Sequence, residues 1–570
     1  MGSIKVEYSA SEGNSKDRIK KIVLTACIIV PALLSVIIYS GVIHHEFVYD
    51  DGVLVLRNKD IRNLNAESIK KLFVQRNYTN FLPLRMLSYA VDYHFWQFNP
   101  VGYHITNIVF HCLNTILCFL LIYIAMMRAV NEPPDWKMAA GVAFVASIFF
   151  AVHPIHVESV TNISGRKEVL YSFFFLIGLI SYIFHRVKGD GPKFRGWFIV
   201  TLLCMIASLL SKASAVAMPF VLVLFDFLFP DVARRSKAVN RIQEYFVFVF
   251  VLCITIGLNM LLSQKENIFS EPFGGGLASH LLTIIKVVPF YLELVFRPDM
   301  LSIVYDVPVS FSLFEPVVLI AIVVDAVLVA GFFIAVKRNR IIAFAIGWFI
   351  LTLGPTLNLV PFGIFAADRY MYLPFLGVCI AAGALYAYAM KRRAAMACAI
   401  VLLVVMVSAC IYVTVDRNRD WRNEIALWES TIETAPNVSM VNVGLGIAYL
   451  HKDRMEEAVE YLEEGRRLDP KNAKAYVGLG QYYLKKMDFI KAYEVLKEGL
   501  KASNNDIEIY YYIAMTYFNL GQYKSAAQIF SDISKTRPGY MRTDEFLFMT
   551  LKKLSETIPF DEYDEFIEKL

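Results

Sequence analysis

Long apolar runs separated by short polar clusters fill the first 415 residues. Eleven of them approach the ~20 residues that cross a bilayer: 22–43, 103–127, 138–152, 169–185, 196–211, 215–229, 245–262, 316–336, 341–360, 371–390 and 394–415. From near Asp416 the chain turns polar and rich in Lys and Glu. The pattern predicts an all-α protein in three parts. Residues 1–21 form a cytoplasmic segment, 22–415 a polytopic membrane domain, and 416–570 a soluble domain. Two long polar stretches interrupt the membrane domain, at 44–101 and 263–315, and short amphipathic helices at the interface are expected in the first, because loops of that length are rarely structureless.

The polar domain has an internal period. At offsets of 34 residues Gly446, Gly480 and Ala514 share one position, Tyr449, Tyr483 and Tyr517 a second, and Ala458, Ala492 and Ala526 a third. Small residues at the first and third let two antiparallel helices approach closely, which is the tetratricopeptide pattern. Pro436 stands 34 before Pro470, so a partial repeat begins near Trp421 and the last membrane helix runs almost directly into the solenoid. Residues 540–570, with six aromatic side chains among charges, predict capping helices. Such repeats either hold a partner in a groove or simply pack, and both readings account for these residues.

Charge sets the orientation. Basic clusters at Lys16 to Lys21, Arg128 with Lys137, Arg186 to Arg195, Arg234 to Arg241, Lys337 to Arg340 and Lys391 to Arg393 fall on one side if the run 280–296 is interfacial or re-entrant. That side is the cytoplasm, which leaves the repeats outside. The first span follows basic residues without a small-residue cleavage site and reads as a retained helix. With 57% hydrophobic and 19% charged residues and a mean hydropathy of +0.49, a single soluble core is excluded. The net charge of +5 is explained by the inner loops and needs no nucleic-acid partner. All eight cysteines lie in predicted spans, so no disulfide framework is implied. This favours a prokaryotic cytoplasmic membrane, although Asn77-Tyr-Thr79 and Asn437-Val-Ser439 are usable sequons in an endoplasmic reticulum.

Several polar groups then face one compartment. Asp50 and Asp51 stand just beyond the first span, where carboxylates escape the roughly 2.5–3.5 kcal/mol cost of a charge in hydrocarbon; they are either a helix flank or a site. Asn80-Phe-Leu-Pro-Leu-Arg85 follows in the same loop. His153-Pro-Ile-His156-Val-Glu158 offers a divalent-metal set, with Asp51 as a further ligand, or hydrogen bonds to a substrate, or a structural turn; His-x-x-His alone does not decide. Arg166 and Lys167 are placed to meet a lipid phosphate. Lys212, pinned in a very short link, needs an anionic partner. Arg369 serves either its neighbour Asp368 or a phosphate. A carboxylate that takes the proton of an attacking hydroxyl, with cations that hold a leaving phosphate, suits glycosyl transfer from a polyprenyl-phosphate sugar.

Taken in order, Phe47-Val-Tyr-Asp50-Asp51, Asn80 to Arg85, Asn99-Pro-Val-Gly-Tyr-His104 with Asn107 and His111, Ala151-Val-His-Pro-Ile-His-Val-Glu158, Gly165-Arg166, Lys212 and Ala367-Asp-Arg-Tyr-Met-Tyr-Leu-Pro374, ahead of repeats, resemble the transmembrane and tetratricopeptide-repeat O-mannosyltransferases and their prokaryotic relatives. The resemblance implies a GT-C glycosyltransferase fold, a polyprenyl-phosphate-linked donor of undecaprenyl or dolichyl type, and inverting transfer outside the membrane, with the acid after the first helix as base. Asp50 aligns with that position and Asp51 is the second choice. Arg166, Lys167, Lys212, Arg369 and Arg85 then hold the donor phosphate, and His104, His153, His156, Glu158, Asp368 and Tyr370 line the substrate. Three departures are visible: Lys212-Ala213 for Lys-Glu, Leu82-Pro83-Leu84 for Arg-Pro-Leu, and Asp368 for Glu. They relocate contacts, with Arg85 as the substitute, and mannose does not simply carry over.

The expected function is transfer of one sugar to a hydroxyl, of a protein held by the repeats; the alternatives are transfer to a lipid or surface glycan, and a non-enzymatic scaffold or transporter component. A transporter should carry charges at mid-membrane, where Asp226 and Asp325 stand without evident partners.

Overall fold

A computed structural model describes residues 2–74, 81–128, 133–188, 195–233, 238–262, 271–361, 364–503, 506–537 and 539–570. Asn80 and the Asn77-Tyr-Thr79 sequon lie outside the described residues. The chain divides into two compact units, Met1–Arg422 and Asn423–Leu570, and the described residues contain helices and no strand.

In the first unit the helices are α1 (Gly2–Tyr39), α2 (Ala66–Val74), α3 (Pro83–Trp96), α4 (Pro100–Arg128), α5 (Trp136–Val152), α6 (Val157–Thr161), α7 (Arg166–Lys188), α8 (Arg195–Leu209), α9 (Met218–Leu228) and α10 (Pro230–Ala233). They continue as α11 (Ala238–Leu262), α12 (Leu277–Ile284), α13 (Val287–Phe296), α14 (Pro316–Arg338), α15 (Arg340–Leu353), α16 (Phe375–Ala389) and α17 (Arg393–Asp420). Among the described residues, seven stretches are long and apolar enough to cross a membrane: Asp17–His44, Pro100–Arg128, Ile163–Val187, Val239–Leu262, Leu277–Phe296, Pro316–Arg338 and Ala394–Asp420. The protein is therefore a multi-pass membrane protein.

The remaining expected spans are shorter helices, and prolines account for two of the breaks. The run through Trp136–Val152 bends by 54° into Pro154–Thr161. Pro154 cannot donate to the helix and pushes His153 to extended backbone, φ −72° and ψ 132°. Pro355 likewise ends the helix expected over 341–360 at Leu353. Close helix crossings rely on glycine: a Cβ on Gly383 would come 2.6 Å from the Val142 carbonyl oxygen of α5, and one on Gly377 as close to that of Ala345 in α15.

Asp226 does have partners. Its carboxylate accepts from Tyr182 at 2.7 Å and Tyr245 at 2.6 Å and pairs with Arg186 at 2.9 Å, and Arg186 and His185 also pair with Glu244. This network ties α7, α9 and α11 together. The 44–101 stretch has its own core, in which Val55, Ile61, Leu72, Met86 and Tyr89 pack with Tyr103 and Ile163.

The second unit holds α18 (Glu424–Thr434), α19 (Ser439–His451), α20 (Met455–Leu468), α21 (Ala473–Lys485), α22 (Phe489–Ala502), α23 (Ile507–Asn519), α24 (Tyr523–Thr536), α25 (Thr543–Ser555) and α26 (Phe560–Lys569). Successive helices form antiparallel pairs because the small positions admit a partner: a Cβ on Gly446 would meet Leu462 at 2.7 Å, and one on Gly480 would meet Leu496 at 2.6 Å. The 34-residue register reaches the backbone itself. Asp453, Met487 and Gly521 close the first helix of each pair in the left-handed region, at φ 58°, 59° and 73°. Two of these three turns therefore bear a side chain, at a cost of about 1–3 kcal/mol each.

Candidate active site

The site starts at the end of α1. After a 3-10 turn, Ser40–His44, the chain runs to Tyr49, which is held at φ 57°, and then enters a five-residue π turn, Gly52–Leu56. Left-handed backbone at a tyrosine is strained and persists only where neighbours over-determine it. Asp51 is that determinant. Fully buried, it accepts Val48 N–H at 3.1 Å through Oδ2 and Ser164 N–H at 2.8 Å through Oδ1, so its carboxyl closes its own loop and staples it to the segment before α7. The Glu46 N–H bonds the Arg422 carbonyl at 3.0 Å, which fixes the other end of the loop.

Asp50, its neighbour, is exposed, and among the described residues its carboxylate has neither hydrogen bond nor ion pair. Burial pushes Asp51 up to about 8, against the two N–H bonds, with Asp50 adding to the rise. The folded protein thus binds more protons at Asp51 than the unfolded chain does, between about 4 and about 8. The resulting stability is complete below the ordinary carboxylate value and is lost as pH rises through about 8. Asp368, also held up at about 8 by burial and by Glu158, adds a slope of the same sign. Asp51→Asn therefore flattens part of the fall in melting temperature between about pH 5 and about pH 9, measured in detergent; an unchanged slope contradicts this assignment.

Arg166 is not open to a lipid phosphate. It is fully buried, and its guanidinium donates to Asn107 Oδ1 at 2.5 Å, Ser88 Oγ at 3.3 Å, Asp92 Oδ2 at 2.7 Å and the Tyr103 carbonyl at 2.9 Å. These bonds join α3, α4 and α7 and leave no fork for a phosphate. The glycine before it is required: a Cβ on Gly165 would lie 2.6 Å from the Ser159 carbonyl oxygen.

The other cations converge. Arg369 gives its backbone N–H, at 2.8 Å, and its guanidinium to Glu158, so its internal partner is Glu158 and not Asp368. Asp368 instead accepts from Tyr305. Lys212 pairs with Glu168 at 2.5 Å and lies 5.2 Å from the ring centres of Tyr171 and Tyr370. Lys167 stands within electrostatic reach of Arg369, Arg85, Lys212 and Glu168, is half-buried, and has no ion pair or hydrogen bond among the described residues. Tyr49, pushed up to about 12 by burial, feels Arg369, Asp50, Glu158 and Tyr370, and so joins the acidic loop to the cation group. Four cations thus meet two buried carboxylates.

The histidines serve the scaffold. His153 uses both ring nitrogens, Nδ1 accepting Ile155 N–H at 3.2 Å and Nε2 bonded to the Val295 carbonyl at 3.1 Å. His104 bonds the His45 carbonyl at 3.3 Å. His156 is fully buried among the rings of Phe150, Tyr372, His111 and Phe375. Glu158 is spent on Arg369 and Asp51 on two amides, and no group of three or more metal-ligating residues forms among the described residues. The donor set His153, His156, Glu158 and Asp51 therefore does not fit a metal. Glu168, Asp92, Tyr49 and Tyr305 carry much of the geometry. Of these Glu168, directly after Arg166-Lys167, and Tyr49, inside the Phe47 to Asp51 motif, have local signals in the sequence.

Comparisons with known proteins bear on this arrangement. A family profile described as an acyltransferase domain matches residues 13–270, and one described as anaphase-promoting complex, cyclosome, subunit 3 matches residues 451–533. Among solved structures, the apo oligosaccharyltransferase of Archaeoglobus fulgidus is 11% identical, covering 69% of this chain and 56% of its own, with a TM-score of 0.40. ArnT from Cupriavidus metallidurans bound to undecaprenyl phosphate is 13% identical, covering 90% and 81%, with a TM-score of 0.38. Protein O-mannosyl-transferase Tmtc3 of Drosophila melanogaster is 25% identical over 75% of this chain and 54% of its own length. The corresponding figures are 24%, 77% and 62% for Protein O-mannosyl-transferase F38B6.6 of Caenorhabditis elegans, and 23%, 75% and 50% for Protein O-mannosyl-transferase TMTC3 of Homo sapiens. The chain spans between half and two thirds of the length of these relatives, and over about three quarters of its own length it is similar to the transmembrane and tetratricopeptide-repeat O-mannosyltransferases.

Proposed function

We propose that the chain is an integral-membrane inverting glycosyltransferase. It moves a monosaccharide, mannose on the strength of its relatives' names, from a polyprenyl-phosphate donor to a Ser or Thr hydroxyl of a protein on the outer face of the membrane. The observation that carries this reading is one exposed carboxylate, Asp50, which has no hydrogen bond or ion pair among the described residues, on a strained loop beside a group of four cations, in which Lys167 likewise has no hydrogen bond or ion pair among the described residues.

Asp50 takes the proton of the acceptor hydroxyl as its oxygen forms a bond to the anomeric carbon. The bond from that carbon to the phosphate oxygen breaks on the opposite face, and the electron pair leaves with the polyprenyl phosphate. Lys167, with Lys212, Arg369 and Arg85 behind it, stabilises the charge gathering on the leaving group in a site that is already organised. The carboxylates Glu168 and Glu158 hold two of these cations in place. Asp51 positions Asp50, and Arg166 fastens the helices that carry the rest.

The distribution of basic clusters supports the outer face. An acyl-transfer reading, raised by the profile over residues 13–270, needs a histidine base with a ring nitrogen open to substrate. Of the three histidines the sequence placed at the site, His153 has none free, and His104 and His156 are buried.

Two measurements test the proposal. Mass spectrometry of envelope proteins and lipid-linked sugars in wild-type and deletion strains should show a lost hexose on protein and accumulated polyprenyl-phosphate sugar; loss of an acyl group, or unmodified lipid or surface glycan as the accumulated acceptor, refutes it. Lys167→Ala should raise the donor KM by roughly 10–100-fold, the worth of one charged hydrogen bond, with a smaller change in kcat; an unchanged KM removes Lys167 from the phosphate.

A further inference from the structure

The repeat unit is acidic within a basic protein: Asn423–Leu570 carries 24 Asp and Glu against 18 Lys and Arg, while the whole chain has a net charge of +5. Part of that excess follows the repeat. Glu464, Glu498 and Asp532 recur at 34-residue spacing near the ends of α20, α22 and α24, and Asn442, Tyr476 and Tyr510 recur near the starts of α19, α21 and α23. Along one edge of the solenoid, every step therefore pairs an acid with a planar side chain.

Between the first two steps the edge is hollow. A cavity of ≈ 760 Å³ is lined by Asn442, Glu460, Tyr461, Glu464, Tyr476 and Glu498, with Arg466 and Arg467 beside them. Both arginines are already satisfied, Arg466 by Glu463 at 2.7 Å and Glu498 at 3.2 Å, and Arg467 by Glu464 at 2.6 Å. Glu460 has no ion pair among the described residues. Asn442, only 2% exposed, spends its amide hydrogens on the Pro436 and Val438 carbonyls at 2.8 and 3.2 Å. Its Oδ1 remains an acceptor, without a partner among the described residues and on the cavity wall. An acceptor left open on the cavity wall suits a donor, and the carboxylates around it suit a positive one.

We propose that this cavity takes a Lys or Arg side chain of an extended basic segment of the protein acceptor. The inference rests on the reading of the chain as a transferase acting on proteins. Lys and Arg suit the site in two ways: an ammonium or guanidinium donates to Asn442 Oδ1 and Glu460, and an aliphatic stem lies along the tyrosines.

The test uses the full chain in detergent and two fluorescein-labelled peptides, one alternating Lys with Ser and one alternating Glu with Ser. Wild type should bind the Lys peptide, less tightly as salt rises, and not the Glu peptide. The double variant Glu460→Lys, Glu498→Lys should bind the Lys peptide about tenfold or more weakly, while glycosyl transfer to a short acceptor lacking Lys and Arg stays at the wild-type rate. Both glutamates are exposed, so folding is retained. Equal binding of the two peptides, or an affinity untouched by the charge reversal, overturns the proposal. Absence of transfer by wild type, with peptide binding and its charge dependence intact, overturns the transferase reading instead.

Discussion

Asp50→Asn should lower transfer by about 10²–10⁴-fold, the worth of a positioned general base, and leave the melting temperature and the yield of folded protein at their wild-type values. The amide keeps the size and shape of the side chain but cannot accept the proton. Nothing else is lost, because Asp50 is exposed and its carboxylate has no partner among the described residues. Asp51→Asn behaves differently. Its new amide group turns two hydrogens toward either the Val48 or the Ser164 N–H, each of which now donates to a carboxylate oxygen, so one buried donor loses its acceptor at a cost of about 1–3 kcal/mol. The loop that sets Asp50 then loosens. Activity loss without destabilisation at one position and destabilisation at the next, read by a transfer assay and a thermal melt on each variant, separates base from positioning residue. A stable, fully active Asp50→Asn would remove Asp50 from the chemistry.

Arg166→Met should be the most destabilising single change in the membrane unit. It leaves Asp92, with a side chain only 6% exposed, as a buried carboxylate without its cation. Breaking a buried pair from one side costs about 3–5 kcal/mol, whereas replacing both partners with apolar groups is often close to neutral. The double variant Arg166→Met, Asp92→Leu should therefore recover much of the loss in an unfolding titration in detergent. Recovery will be partial, since Asn107, Ser88 and the Tyr103 carbonyl also give up bonds to the guanidinium. If the single variant were as stable as wild type, Arg166 would not be the fastening assigned to it.

The fold class was legible because it is written in periods. Apolar runs of membrane length and a 34-residue register are local regularities, and each has a direct physical consequence: Gly446 and Gly480 sit where a Cβ would meet the partner helix. Pairings were not legible, because partners lie far apart in the chain. Glu158 and Arg369 are 211 positions apart, Arg166 and Asp92 are 74 apart, and nothing in composition or spacing couples them. The same gap explains Asp226. Its cation, Arg186, lies 40 residues earlier in a basic cluster that reads, in sequence, as a topology signal and nothing more. Histidine and arginine near a membrane surface look like ligands until their hydrogen bonds are counted. His153 turns out to cap the kink that Pro154 makes, and Arg166 to be fully buried. The difference between Asp50 and Asp51 needed the fold of one turn, since adjacent identical residues differ only in which way the strained Tyr49 points them.

The decisive measurement is the fate of label when purified full-length protein, in liposomes, is given polyprenyl-phosphate mannose labelled in the sugar together with an acceptor protein. Label should pass to a Ser or Thr hydroxyl of the acceptor with inverted anomeric configuration, releasing one polyprenyl phosphate for each sugar transferred, and Asp50→Asn should slow both by about 10²–10⁴-fold. Retained configuration, or transfer that persists at the wild-type rate in Asp50→Asn, would contradict a single displacement driven by that carboxylate.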